Sequence, residues 1–155
     1  MAGPIGSIGT TAEIFLGAPA TYDESGIDGL SSGSLIGSIS NHGEYGGSAN
    51  VETFTPVDTG IVDKAVGSIN YGSYAMTIGK DPDDTGQAAL KSGFDGDNSR
   101  KLHTIVITKP NNYREAFTGF VTSFTTNITS AGPFITGAAN FELNNKVLYL
   151  DPVTP

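Results

Sequence analysis

The sequence predicts a mainly β protein: a β-sandwich or small β-barrel of two packed antiparallel sheets with one flanking α-helix. Three observations predict it. Of 155 residues 21 are glycine, about twice the usual share, while only 15% are charged, against about 25% in ordinary domains. Threonine, serine and isoleucine are abundant, a polar, uncharged and β-branched mix that suits strands and turns. Apolar residues recur with a period of two in several segments, whereas a single segment carries helix punctuation.

The length fits one domain, residues 1–155, large enough to hold a core without covalent staples. A Gly-rich arm, residues 1–11, leads into a first strand at Glu13 to Leu16. Residues 17–34 hold Gly, Pro, Asp or Ser at nearly every second position and read as a long loop. Leu35 to Ile39 reads as a second strand, Asn41 to Asn50 as turns, and Val51 to Thr55 as a strand that Pro56 ends. Asp58 to Gly67 carries Ile61, Val62, Ala65 and Val66 without a clean period and is expected to connect two strands across one end of the sandwich. Ser68 to Ile78 alternates throughout, with Asn70, Gly72, Tyr74, Met76 and Ile78 on one face, and reads as one long strand.

The helix follows. Asp81 is an expected N-cap, Pro82 suits the first helical position, and Asp83 and Asp84 sit where the helix dipole favours carboxylates. Gly93 is expected to stop it, and Ala89, Leu90 and Phe94 to form its buried stripe. Three strands come next: Leu102 to Lys109; Tyr113 to Ile128, long enough to require a bulge or bend; and Pro133 to Leu143, with Ile135, Gly137, Ala139, Phe141 and Leu143 on one face. Lys146 to Leu150 reads as a short edge strand that Asp151-Pro152 breaks.

Signals for chemistry are weak. Without cysteine there are no disulfides and no thiolate metal sites. His42 lies in a turn and His103 in a strand, and no acid is spaced to orient either as a catalytic base. Asp95-Gly96-Asp97-Asn98-Ser99 begins like a calcium loop, but the sixth and twelfth positions hold Arg100 and Val106 where Gly and Glu are needed. No phosphate-binding glycine loop is present. Asn127-Ile128-Thr129 fits a glycosylation triplet without a secretion signal beside it. No catalytic, cofactor-binding or metal residues are therefore assigned, and the expectation is a protein that is not an enzyme. Net charge is −8, and the basic residues do not cluster beyond Arg100-Lys101, so strong nucleic-acid binding is not expected. No apolar run approaches the roughly 20 residues of a membrane helix.

The order of several short motifs resembles the major tail tube protein of lambda-like, long-tailed bacteriophages. They are Gly9-Thr10-Thr11, Asp58-Thr59-Gly60, Gly86-Gln87-Ala88-Ala89-Leu90 with Gly93-Phe94, Ile105-Val106-Ile107-Thr108-Lys109-Pro110, and Phe117-Thr118-Gly119-Phe120-Val121-Thr122-Ser123. The match is densest over residues 67–125. The resemblance implies a virion protein, made in the host cytoplasm, that forms six-membered rings stacked into a hollow tube. The implied partners are further copies of the chain, a tape-measure protein, and tail tip or terminator proteins. DNA would pass through the lumen unbound. Related folds occur in contractile tails, secretion tubes and gene-transfer particles.

On this view Asp58, Ile61, Val62, Asp63, Lys64, Ala65 and Val66 form an inter-ring loop whose apolar members dock on the next ring. The competing explanation is that they fold back on their own domain. A different class of function is a β-sandwich module that binds a carbohydrate or a protein through Tyr22, Tyr45, Tyr71, Tyr74, Tyr113 or Tyr149.

Overall fold

A computed structural model describes residues 5–128 and 134–152. Met1 to Pro4 of the expected arm, Thr129 of the glycosylation triplet and Pro133 lie outside them. The elements are β1 (Thr11–Phe15), α1 (Glu24–Asp28), β2 (Ser34–Ile36), β3 (Ile39–Asn41), β4 (Ser48–Phe54), β5 (Asp63–Asn70), β6 (Ser73–Gly79), α2 (Thr85–Asp95), β7 (His103–Thr108), β8 (Arg114–Asn127), β9 (Thr136–Leu143) and β10 (Leu148–Leu150).

The fold is mainly β, built of two antiparallel sheets, as the composition and periodicity predict. The larger sheet runs β2-β1-β7-β8-β9-β6-β3, with β10 also paired to β8; among the described residues β4 and β5 form the second alone. Strand β8 is the corner. Its first half pairs with β7 and β10, and from Gly119 onward it pairs with β9. The register shifts between Val121 and Ser123, the irregularity that its length demands.

The large sheet is rolled, not flat. Ile36 of β2 and Ile78 of β6 belong to one buried cluster with Ile14, Met76, Leu90, Ile105, Ile107, Phe117 and Phe141. In a flat sheet β2 and β6 would stand five strand spacings apart, about 24 Å, too far to share a core. The chain itself holds the roll closed. Only Gly37 and Ser38 separate β2 at one end of the strand order from β3 at the other. The expected single strand Leu35–Ile39 is therefore two strands on opposite edges, turned at Ser38, whose φ of 61° lies in the left-handed region.

Two further boundaries differ from the sequence expectation. The alternation expected over Ser68–Ile78 holds only from Ser73 on: Ser68 to Asn70 are all exposed in β5, and the chain leaves β5 and enters β6 through Gly72 at φ 81°. A β-carbon there would clash with the Gly46 carbonyl, so only glycine fits. Residues 17–34 are not wholly loop. Asp23 caps α1, accepting from Gly26 N–H at 2.8 Å, and Ile27 with Leu30 covers Val106, Ala116 and Leu150 on the outer face of the sheet.

The helix starts later than expected. Its N-cap is Asp84, not Asp81: the Asp84 carboxylate accepts from the N–H groups of Gln87 at 2.9 Å and Gly37 at 3.1 Å. Asp81 instead closes the preceding turn, accepting from Asp83 N–H at 3.0 Å. Ala89 and Leu90 are buried as predicted. Gly93 does not stop the helix; it lies against His103 and Val121, and α2 runs on to Asp95 with Gly96 as its C-cap. Phe94 is not in the buried stripe but 40% exposed. Gln87, buried beneath the helix start, donates to the carbonyls of Gly37 at 3.1 Å and Gly79 at 2.9 Å, joining the two edges that the roll brings together.

Candidate interaction surface

The β4–β5 hairpin stands apart from the rolled sheet. Along β4 every residue is exposed, and along β5 every residue but Gly67. The antiparallel register sets Val51 opposite Val66 and Ala49 opposite Ile69, which puts these four side chains on one face. The register shifts between Ala49 and Val51, where Gly67 and Ser68 oppose Asn50. A two-stranded ribbon of this length is marginal alone in water, and among the described residues both its edges are unpaired.

The expected inter-ring residues lie on this hairpin, arranged differently from the expectation. Asp58, Ile61 and Val62 are in the tip, while Asp63, Lys64, Ala65 and Val66 already belong to β5. The segment projects from the body instead of bridging one end of it. Ile61 is 68% and Val62 50% exposed, so neither folds back on its own core. Phe54 and Val57 add two more exposed apolar groups at the tip. Nothing in the sequence marks these two: Phe54 fits an ordinary strand position and Val57 follows the Pro56 break.

A second surface is the outer face of β6 and β9. It presents Ser73, Ala75 and Thr77 beside Glu142, Asn140 and Ala138, their cross-strand partners, with Thr136 at the end. The residues are small and uncharged but for Glu142, and Asn140 ties the face together by donating to Thr122 at 2.8 Å and Glu142 at 2.9 Å.

The titratable groups inside the fold serve structure. His103 is buried; one ring nitrogen meets the Asn98 carbonyl at 2.9 Å, and among the described residues Nδ1 has no partner. Burial holds its pKa below the ordinary histidine value. His42 stacks on Tyr74, with Nδ1 2.6 Å from the Tyr74 hydroxyl. Burial likewise lowers His42 and pushes the Tyr74 and Tyr45 hydroxyls up, Tyr45 further through the nearby Glu115. Among the described residues no three His, Asp or Glu side chains gather as a metal site would require. Of the tyrosines, Tyr45 and Tyr74 pack with Phe117 in the core, while Tyr71 and Tyr149 line a groove of about 350 Å³ at the hairpin root.

No protein-family model matches this sequence, and no curated protein matches it either. Solved structures do match in fold. A chain of the cryo-EM structure of the anti-feeding prophage baseplate, 6-fold symmetrised, aligns at TM-score 0.73 and 10% identity over 97% of this chain and 97% of that one. A chain of the sheath/tube terminator structure from PVC, an extracellular contractile injection system, aligns at TM-score 0.61 and 13% identity over 97% and 99%. Neither comes from a lambda-like tail. At such identities the likeness is one of fold: this chain shares its fold with chains of a prophage baseplate and of a contractile injection system.

Proposed function

We propose that this chain is a structural subunit of a phage-tail-like particle, assembling copy upon copy into rings that stack as a tube. The carrying observation is the β4–β5 hairpin. A ribbon with free edges, an apolar face and an apolar tip is costly to expose, and burial against another copy removes that cost. A head-to-tail contact of this kind closes into a ring when the rotation between copies allows it, six being the number that the sequence resemblance implies. The fold likeness to chains of a 6-fold symmetrised baseplate and of a sheath/tube terminator supports this reading.

The outer face of β6 and β9 supports a conduit role. A wall of small side chains with one carboxylate per copy offers a passing phosphate backbone no cation to grip. In this proposal the protein resides in the particle, its partners are further copies, a tape-measure protein and tip or terminator proteins, and it performs no catalysis. Negative-stain microscopy of the purified chain across concentration tests it. Rings or tubes are the expected result. A strict monomer that also fails to add to purified tail tips overturns it.

The binding-module alternative rests on Tyr71 and Tyr149 beside the hairpin root. A glycan array that returns a specific ligand, with no assembly in the microscope, would favour it.

A further inference from the structure

We propose that the groove between the C-terminal end of α2 and the second half of β8 is the receptor for the hairpin tip of another copy of this chain. This inference rests on the stacking proposal above and names the surface that the hairpin meets.

Strand β7 begins at His103, opposite Gly119. From Phe120 onward β8 has no strand on that side among the described residues, so a length of backbone edge is open there. Beside it lies a groove of about 470 Å³ lined by Phe94, Arg100, Phe120, Val121 and Thr122. Its lining holds two aromatic rings and one guanidinium but no carboxylate. Among the described residues Arg100 has no ion-pair partner. The groove thus calls for an extended segment with apolar side chains and a nearby acid.

The hairpin tip has that composition. Phe54, Val57, Ile61 and Val62 are exposed, and Asp58 and Asp63 stand among them. The ribbon also carries free strand edges that can meet the open edge of β8. Seven residues of β4 extend about 23 Å, enough to carry the tip clear of its own body. The apolar anchors would supply most of the binding energy and the Arg100–carboxylate pair the register.

A groove of about 410 Å³ on the other side of α2 is the nearest competitor, and its charges are already matched. Lys80 and Lys91 line it together with Asp81 and Asp95, and Lys91 pairs with Asp95 at 3.5 Å.

The test is a charge swap in the full chain, read by sedimentation of assembled particles with a thermal melt of each variant as the folding control. Arg100→Glu and Phe94→Ser are each expected to raise the concentration needed for assembly by about tenfold or more, roughly the loss of one good contact. Asp58→Lys with Asp63→Lys should do the same. Combining these with Arg100→Glu should restore assembly, since the pair is re-formed with its signs exchanged. Normal assembly of Arg100→Glu and Phe94→Ser would overturn the receptor assignment and leave stacking intact. So would failure of the combined variant while every component melts like the parent. A parent chain that forms no particles would instead remove the stacking proposal itself.

Discussion

Arg114 and Asp28 are joined across 86 positions of sequence, Nη1 donating to the carboxylate at 2.7 Å. Arg114 is 8% exposed, and its remaining N–H groups reach the Asp151 carbonyl at 3.0 and 3.2 Å. One guanidinium on β8 thus holds both α1 and the segment after β10. Replacing it removes three bonds and leaves the Asp28 carboxylate half in water. Arg114→Met is expected to cost about 2–4 kcal/mol, and Asp28→Asn about 1, since Asp28 can rehydrate. Equal losses in urea titrations would show that the pair acts otherwise.

The two aspartates before α2 separate a cap from a turn. Asp84→Ala removes bonds to both Gln87 and Gly37 and should cost about 1–2 kcal/mol. Asp81→Ala loses one exposed turn bond and should stay within about 0.5 kcal/mol. Leu90→Ala, in the centre of the core, should cost about 2–5 kcal/mol. Denaturant midpoints of the three variants give the order directly, and a larger loss for Asp81 than for Asp84 would reverse the capping assignment.

At the hairpin tip, stability and assembly are expected to part. Ile61→Ser with Val62→Ser removes side chains that the monomer leaves in water, so the melting temperature should hardly move. Particle formation should be lost. Unfolding of the monomer by this pair would instead show that the tip belongs to its core.

His103 sets an acid limit on stability. Burial depresses its folded pKa below the ordinary 6.5, so below that value the unfolded chain binds a proton more readily. The stabilisation is complete above about pH 6.5 and declines as pH falls through that value toward the folded pKa. His103→Gln, whose amide can still donate toward Asn98, should flatten the slope of stability against pH below 6.5. A slope unchanged by the substitution would assign it elsewhere. His42, shifted in the same direction by burial, is the first place to look.

Much of the architecture could be read from local pattern. Tyr74, Met76 and Ile78 face inward, as do Ala139, Phe141 and Leu143, because alternation along a strand states which side each residue takes. Leu90 is buried for the corresponding reason in a helix. Pairing partners are another matter. Nothing local to Leu35–Ile39 says that its halves belong to opposite edges of a rolled sheet, or that Gly37 will offer its N–H to Asp84 and so move the helix cap three residues from Asp81. The apolar residues of 58–67 are visible in the sequence, but not that among the described residues β4 and β5 pair only with each other and leave them in water. Phe94 carried a core signal and is half outside because α2 turns Gly93 toward His103 and Val121. Periodicity encodes the direction a side chain takes from its own backbone; what covers that side is decided by segments far away in sequence, and only the tertiary structure brings those together.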